Sequence, residues 1–392
     1  MRSVAIVEAA RTPFGRLGGR LRNYSAVELG SHAAQAVLQR SGISPDEVDE
    51  TFFGTAMLAG GTSVAARQIN FKIGLPDHTP SLTLDRACCS GMTSVALGTL
   101  KIRAEDCHIV LAGGIESCSN TPFLMRGIRG GKRLGDFDVE DPLQIRNPIT
   151  GQSIAGVTGT QALKFGVDRK QQDEWALRSH QRYFEAYDKG LYQDEIIGLE
   201  DAVGELCNID ESPRRNSSLE KLAALSPVYG GPTVTAGNAP GLNDGATAVL
   251  LMAAEHARAR QLPVMAEIIS YAQMSGPLDS SVYMPGKAIL EALKKASLSL
   301  DDLKRIEINE AFAAMPLVST LHMAGGDIQS AERLREITNV NGGSVAIGHP
   351  TGASGARVIM ALLRELQRAG GGYGAAAICG GYGQADAVIL KV

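Results

Sequence analysis

The chain has 392 residues, 44% of them apolar, 20% charged and 5% aromatic, with 38 basic against 42 acidic side chains and a net charge of −4. At about 100–200 residues per domain, this length predicts two or three domains, each able to bury a core. The slight acidity excludes a protein that binds nucleic acid by neutralising phosphates, and the apolar content excludes a disordered chain.

No window approaches the roughly 18 consecutive apolar residues of a membrane helix, and the opening MRSVAIVEAARTPFG lacks the parts of a signal peptide. A cytosolic protein is expected, and the ending LKV is no SKL-type peroxisomal address. Cysteines at 88, 89, 107, 118, 207 and 379 form no CxxC pair and no Cys/His ligand spacing. They predict free thiols, with neither a metal site nor a disulfide scaffold.

In chain order, VAIVEAA at 4–10 reads as a strand, and Ser25-Ala-Val-Glu28 as a capping box opening a helix that stops near Gly42. TFFGTA at 51–56 and HIVLAGG at 108–114 read as further strands, with a helix after Cys89 between them. Strands alternating with helices predict a mostly parallel α/β sheet. From 120 to 243 the character changes: MRGIRGGKRLGDFD is basic and glycine-rich, Asp168 caps a helix ending at Gly190, and SPRRNSS is polar. This segment reads as an inserted mixed lobe, either a solvated excursion or a lid over an anionic ligand.

The last third repeats the plan of the first. Ile43-Ser-Pro-Asp-Glu-Val48, leading to Gly54-Thr-Ala56, matches Leu298-Ser-Leu-Asp-Asp-Leu303, leading to Asn309-Glu-Ala311. Cys89-Ser-Gly91 matches Ala353-Ser-Gly355, and the run 109–114 matches 376–381, so the offsets are 255, 264 and 267 residues. Three matches in one order predict a duplicated α/β unit.

Four segments carry candidate chemistry. Cys88, in Asp85-Arg-Ala-Cys-Cys-Ser-Gly91, lies where a strand hands over to a helix, as in a nucleophile elbow. Helix-start N–H groups are expected to lower its pKa, although a packed, inert thiol is the other reading. His349, between Gly348 and Pro350 on a loop before a helix, is placed to act as base or donor, or to be structural. Cys379 ends a strand before Gly380 and Gly381, whose bared N–H groups suit an oxyanion, and Asn309 at another strand end is placed to orient a water.

Together with VEAARTPFG and VTAGNAPGLNDGATA at 234–248, the segments NEAF, NGGSVAIGHPTGASG and ICGGYG resemble the thiolases, which make or cleave 3-oxoacyl-CoA. The resemblance covers essentially the whole chain. It implies a duplicated thiolase-like α/β fold of two mixed-sheet halves with helices, residues 1–119 with 244–264 and residues 265–392. An inserted α/β loop domain at 120–243 would cover coenzyme A, and the assembly would be a homodimer or homotetramer.

By position, the resemblance implies Cys88 as nucleophile, rather than Cys89, because the family pattern is Cys-x-Ser-Gly. It implies His349 as the group that activates this thiol and forms one oxyanion hole with a water held by Asn309. Cys379 would move the proton on the carbon or sulfur being made or broken, and the N–H groups of Cys88 and Gly381 would form the other hole. For coenzyme A it points to Arg214, with Arg215 beside it, near the adenine, and to Tyr229, Ala236, Gly237, Leu242 and Phe312 along the tunnel. Acyl-CoA, acetyl-CoA and CoA are then substrates, and no cofactor or metal is implied.

Pro240, the run 154–160, Cys89 and Tyr382 depart from the usual thiolase pattern and bear on the acyl-chain preference. Condensing enzymes of the ketosynthase or 3-hydroxy-3-methylglutaryl-CoA synthase kind lack the second cysteine and NEAF. A non-catalytic CoA-binding subunit is the rival of another class.

Overall fold

The computed structural model describes residues 2–59, 63–147 and 149–392. Its main feature is one mixed sheet of ten strands among the described residues: nine fall into two sets with the same order and the same strand directions, and the tenth, Gly15–Arg16, pairs with Asn243 and Asp244 off this path. The first set runs Ser81–Leu84, Glu50–Gly54, Ile109–Ser117, Asn243–Ala253, Val4–Arg11; the first three are parallel, Asn243–Ala253 runs antiparallel to them, and Val4–Arg11, antiparallel to Asn243–Ala253, runs with the first three. The second runs Leu303–Ile308, Tyr373–Cys379, Gln384–Lys391, Ala266–Ser275 with the matching directions. Thr338, bridged in parallel to Ile306, occupies the place of Ser81–Leu84. The sets join where Ala5 and Ile6 pair with Glu267 and Ala266.

The duplication expected from the spacing is therefore present, but the sheet is mixed rather than mostly parallel. Tyr373–Cys379 turns straight back through Gly380–Gly383 into Gln384–Lys391, which a hairpin must make antiparallel.

Successive side chains of a strand face opposite sides. Val4 and Ile6 accordingly belong to the central apolar cluster, while Ala5 and Val7 belong to an outer one. Burial on both faces explains why these strands read as unbroken apolar runs. Helix Ala26–Ser41 covers the outer face of the first half, and Met284–Ala296 that of the second. Between the halves lie Ser90–Arg103 and Thr351–Arg368.

Local signals set several element ends. Ser25 and Glu28 form the reciprocal capping box, and Gly42 ends that helix at φ 68°. Asp168 caps Arg169–Asp188 through Gln171, with Gly190 beyond its end at φ 72°. Segment 120–243 adds helices Ile154–Lys164 and Leu219–Ala223 and a short ladder of Leu199–Glu200 with Leu206–Cys207. Fully buried Arg11 ties it to the sheet, bonding Glu195 at 2.9 Å and Asp210 at 2.6 Å. Removing either carboxylate would leave a buried charge short of a partner. No helix among the described residues is long and apolar enough to cross a membrane.

The two central helices meet at their starts because their neighbours there are glycines. A Cβ on Gly91 would stand 2.6 Å from the Gly352 carbonyl oxygen, one on Gly114 1.9 Å from the same atom, and one on Gly355 2.4 Å from the Met92 nitrogen. This close approach brings the residues before each helix, Cys88 and His349, to one point.

Candidate active site

The turn after Ser81–Leu84 is built by side chains. The Asp85 carboxylate accepts from the Ala87 N–H at 2.7 Å; Ser90 Oγ accepts from the Arg86 N–H at 2.8 Å and donates to the Ala87 carbonyl at 2.6 Å. Ala87 takes φ 50°, a left-handed conformation that costs about 1–2 kcal/mol for an L-residue. The turn presents Cys88 one residue before the helix cap. Arg86 clamps it to the other half, donating to Asp386 at 2.7 Å, and Thr93 (2.6 Å) and Tyr271 (2.5 Å) donate to the same carboxylate.

His349 arrives from the opposite side. Its N–H donates to Asn243 Oδ1 at 2.9 Å, and its backbone bridges Leu242. Ser354 Oγ lies 2.7 Å from the ring Nδ1 and spends its one proton on the Pro350 carbonyl at 2.9 Å. It therefore accepts from Nδ1–H, which leaves the Nε2 lone pair facing Cys88 Sγ at 3.2 Å. This is the tautomer a general base requires.

The resting protonation states differ from the sequence expectation. Burial raises the Cys88 thiol well above its ordinary range, with the charges of Cys379 and Glu116 acting in the same direction. Helix-start N–H groups do not outweigh that desolvation. Burial, then the Arg357 charge, pulls His349 down to about 3. The pair rests as neutral thiol and neutral imidazole, so the proton moves only as a new bond forms at sulfur. Cys88 is nonetheless the one cysteine of the six that is not fully buried.

Cys379 is the last residue of its strand. Burial pushes its thiol up to about 11, opposed by the Gly381 N–H aimed at the sulfur. Gly381 has φ 64°, which glycine adopts without strain. Asn309 follows Leu303–Ile308, its N–H donating to the Ala377 carbonyl at 2.9 Å, two residues from Cys379. Its Oδ1 accepts from Ser344 at 2.6 Å, while its Nδ2, in a fully buried residue, has no partner. Tyr382, also left-handed at φ 50°, donates to the Arg146 carbonyl at 3.3 Å.

A groove of about 370 Å³ runs beside this cluster, and Arg214, Tyr229, Ala236, Gly237 and Leu242 all line it. Leu242, through its bridge to His349, joins the groove to the reacting groups. Phe312 instead lies in the apolar cluster around Trp175, which reaches the groove through Val345. Arg215 pairs with Asp188 at 2.9 Å and stacks over Phe184, so it is occupied. Arg214 is exposed and forms no ion pair among the described residues; Arg16, also lining the groove, adds a second guanidinium. The groove is thus suited to an anionic group.

Two buried glutamates escaped the sequence reading. Glu116 accepts from the N–H groups of Ala56 (3.0 Å), Met57 (3.1 Å) and Gly352 (2.9 Å) and from the hydroxyls of Thr55 (3.1 Å) and Thr351 (2.5 Å). It binds the loop after Glu50–Gly54 to the start of Thr351–Arg368. Glu310 accepts from Trp175 (2.8 Å), Ser179 (2.8 Å), Asn339 (2.9 Å) and the Val345 N–H (3.0 Å), fixing the loop that leads to His349. Position next to Asn309 was a signal for Glu310; nothing local marked Glu116.

Residues 4–255 match the thiolase N-terminal domain and 262–392 the thiolase C-terminal domain. An acetyl-CoA acetyltransferase of Yarrowia lipolytica is 38% identical over 98% of this chain and 96% of its own length. Human mitochondrial 3-ketoacyl-CoA thiolase, solved in complex with CoA, superposes with a TM-score of 0.94 at 37% identity, covering 100% of this chain and 98% of that one. The acetyl-CoA acetyltransferase of Bacillus anthracis gives a TM-score of 0.94 at 34% identity, covering 100% and 99%.

Proposed function

This chain belongs to the thiolase family, and from that premise we propose that it joins acetyl-CoA to an acyl-CoA by Claisen condensation, or cleaves 3-oxoacyl-CoA by thiolysis, through an acyl-Cys88 intermediate. The observation that carries the reading is the 3.2 Å contact of His349 Nε2 with Cys88 Sγ, with Nδ1–H held by Ser354.

As the sulfur attacks the acyl carbonyl, the Cys88 proton passes to His349 Nε2. The tetrahedral oxyanion lies against the N–H groups of Cys88 and Gly381 and collapses to acyl-Cys88. The departing CoA sulfur takes its proton from Cys379, whose pKa of about 11 makes it a thiol at rest. The Cys379 thiolate then removes a Cα proton from acetyl-CoA. His349 and an Asn309-bound water hold the enolate, which attacks the thioester carbonyl. Cys88 leaves as thiolate and recovers its proton from His349, so every group returns to its starting state. The reverse sequence is thiolysis.

Arg214 and Arg16 would meet the phosphates of coenzyme A, and Tyr229, Ala236, Gly237 and Leu242 its pantetheine arm, with Phe312 set behind them in the apolar cluster that meets the groove at Val345. Segment 120–243 would act as the lid, between halves formed by 1–119 with 244–264 and by 265–392. No resident cofactor takes part in these steps. Six unpaired thiols suit a reducing compartment such as the cytosol, and a homodimer or homotetramer is the expected assembly. Mixing the protein with acetyl-CoA should release one burst of CoA and acetylate Cys88, detected by mass spectrometry. Binding of acetyl-CoA with neither burst nor adduct would overturn the reading in favour of a non-catalytic CoA-binding subunit.

A further inference from the structure

We propose that Ser344 is a positioning residue, whose hydroxyl sets the Asn309 amide so that its NH₂ group faces the water that holds the enolate oxygen. The proposal rests on the function just described and adds a residue to it.

The direction of the hydrogen bonds follows from donor chemistry. A guanidinium only donates. Arg357, 1% exposed, places Nη2 3.5 Å from Ser344 Oγ and lies 3.8 Å from the Glu307 carboxylate. With that cation on one side, the single hydroxyl proton of Ser344 points to the other, to Asn309 Oδ1 at 2.6 Å. An amide whose oxygen is held in this way has no freedom to turn over, and its nitrogen is committed to the remaining direction. That nitrogen has no partner, although Asn309 is fully buried. A buried N–H without an acceptor gives up its hydrogen bonds to water for nothing in return. The chain Glu307, Arg357, Ser344 thus maintains an open donor that an unrestrained amide would close by rotating.

Ser344 also opens the short helix Ser344–Ile347 that leads into Gly348 and His349. One hydroxyl therefore couples the histidine loop to the strand end that carries Asn309. The loop does not depend on it for its own shape, because Glu310 holds the Val345 N–H at 3.0 Å and Ser179 Oγ accepts from the Gly343 N–H at 2.9 Å. Ser344→Ala should therefore fold.

Two measurements on the full-length enzyme test the idea. In Ser344→Ala, acyl-Cys88 formation from acetyl-CoA should stay within about twofold of wild type, because it uses the other oxyanion hole. Condensation kcat should fall by about tenfold or more, less than the ~100- to 1,000-fold of a deleted oxyanion donor, with little change in KM. Ser344→Thr, which keeps the hydroxyl, should recover most of it. Equal condensation in Ser344→Ala and wild type, or parallel loss of both steps without threonine rescue, would overturn the proposal. The second measurement is a high-resolution crystal structure of Ser344→Ala, in which the Asn309 amide should be turned or split between rotamers. An unchanged amide refutes the proposal whatever the activity. Failure of wild type to acylate at all would strike the functional reading instead.

Discussion

Gly114→Ala should cost activity far more than its single methyl group suggests. Gly114 lies in Ile109–Ser117, and a Cβ there would stand 1.9 Å from the Gly352 oxygen, 2.7 Å from its carbonyl carbon and 2.9 Å from Ala353 Cα. All three are backbone atoms, so no side chain can swing aside. Ordinary contact begins at 3.4 Å, and the start of Thr351–Arg368 must therefore retreat by about 1.5 Å, the difference between 3.4 and 1.9 Å. His349 is three residues before Gly352, and its 3.2 Å contact with Cys88 does not survive a retreat of that size. A misplacement of ~1 Å costs about 100-fold in rate, and overpacking about 1–3 kcal/mol in stability. We expect acylation of Cys88 to slow by about 100-fold, measured by CoA release, with urea unfolding showing a folded but weakened protein. Gly91→Ala presses on the same oxygen from 2.6 Å and needs a shift of only about 0.8 Å, so its loss should be smaller. A folded Gly114→Ala that acylates at the wild-type rate would refute the idea that helix approach sets the Cys88–His349 distance.

Iodoacetamide should alkylate Cys88 before any other cysteine, with acylation protecting it; because the resting thiol is neutral, His349→Asn should slow the alkylation, and no change would disprove the pairing. The His349 ring, with a pKa of about 3, should show a flat Cε1–H shift in NMR spectra from pH 5 to 8. The unfolded imidazole takes a proton below about 6.5 and the folded one does not until about 3, so its burial should cost stability as pH falls through that window, by ~1.4 kcal/mol per unit. The difference in unfolding free energy between wild type and His349→Asn across pH 4–7 measures this. Arg214→Ala should raise KM for CoA thioesters while sparing kcat and turnover of a truncated pantetheine thioester; equal loss with both substrates would remove Arg214 from the phosphate site. Cys379→Ala should still form acyl-Cys88, more slowly because CoA then leaves as an unprotonated thiolate, but lose about 100-fold or more in condensation, the scale of a positioned base, and near wild-type condensation would refute its role.

What was legible in the sequence is what is encoded locally. The capping box at Ser25, the cap at Asp168 and the apolar runs of the strands depend on residues a few positions apart, and the internal repeat shows as matched runs at nearly constant offsets. Cys88, His349, Asn309 and Cys379 stood out because each follows or ends a strand, or sits among glycines before a helix. Tertiary structure alone decided how those four behave. The helix start at Ser90 is a local argument for an acidic thiol, yet the Cys88 sulfur is desolvated by elements from both halves, and that cost outweighs nearby N–H dipoles. Glu116 stayed invisible because its partners Ala56 and Gly352 lie 60 and 236 residues away. The tautomer of His349 and the orientation of Asn309 likewise follow from which hydroxyl, Ser354 or Ser344, has a proton left to give. Such choices depend on neighbours that only the folded chain assembles, because hydrogen bonding and desolvation act through space at a few ångströms and are blind to distance along the sequence.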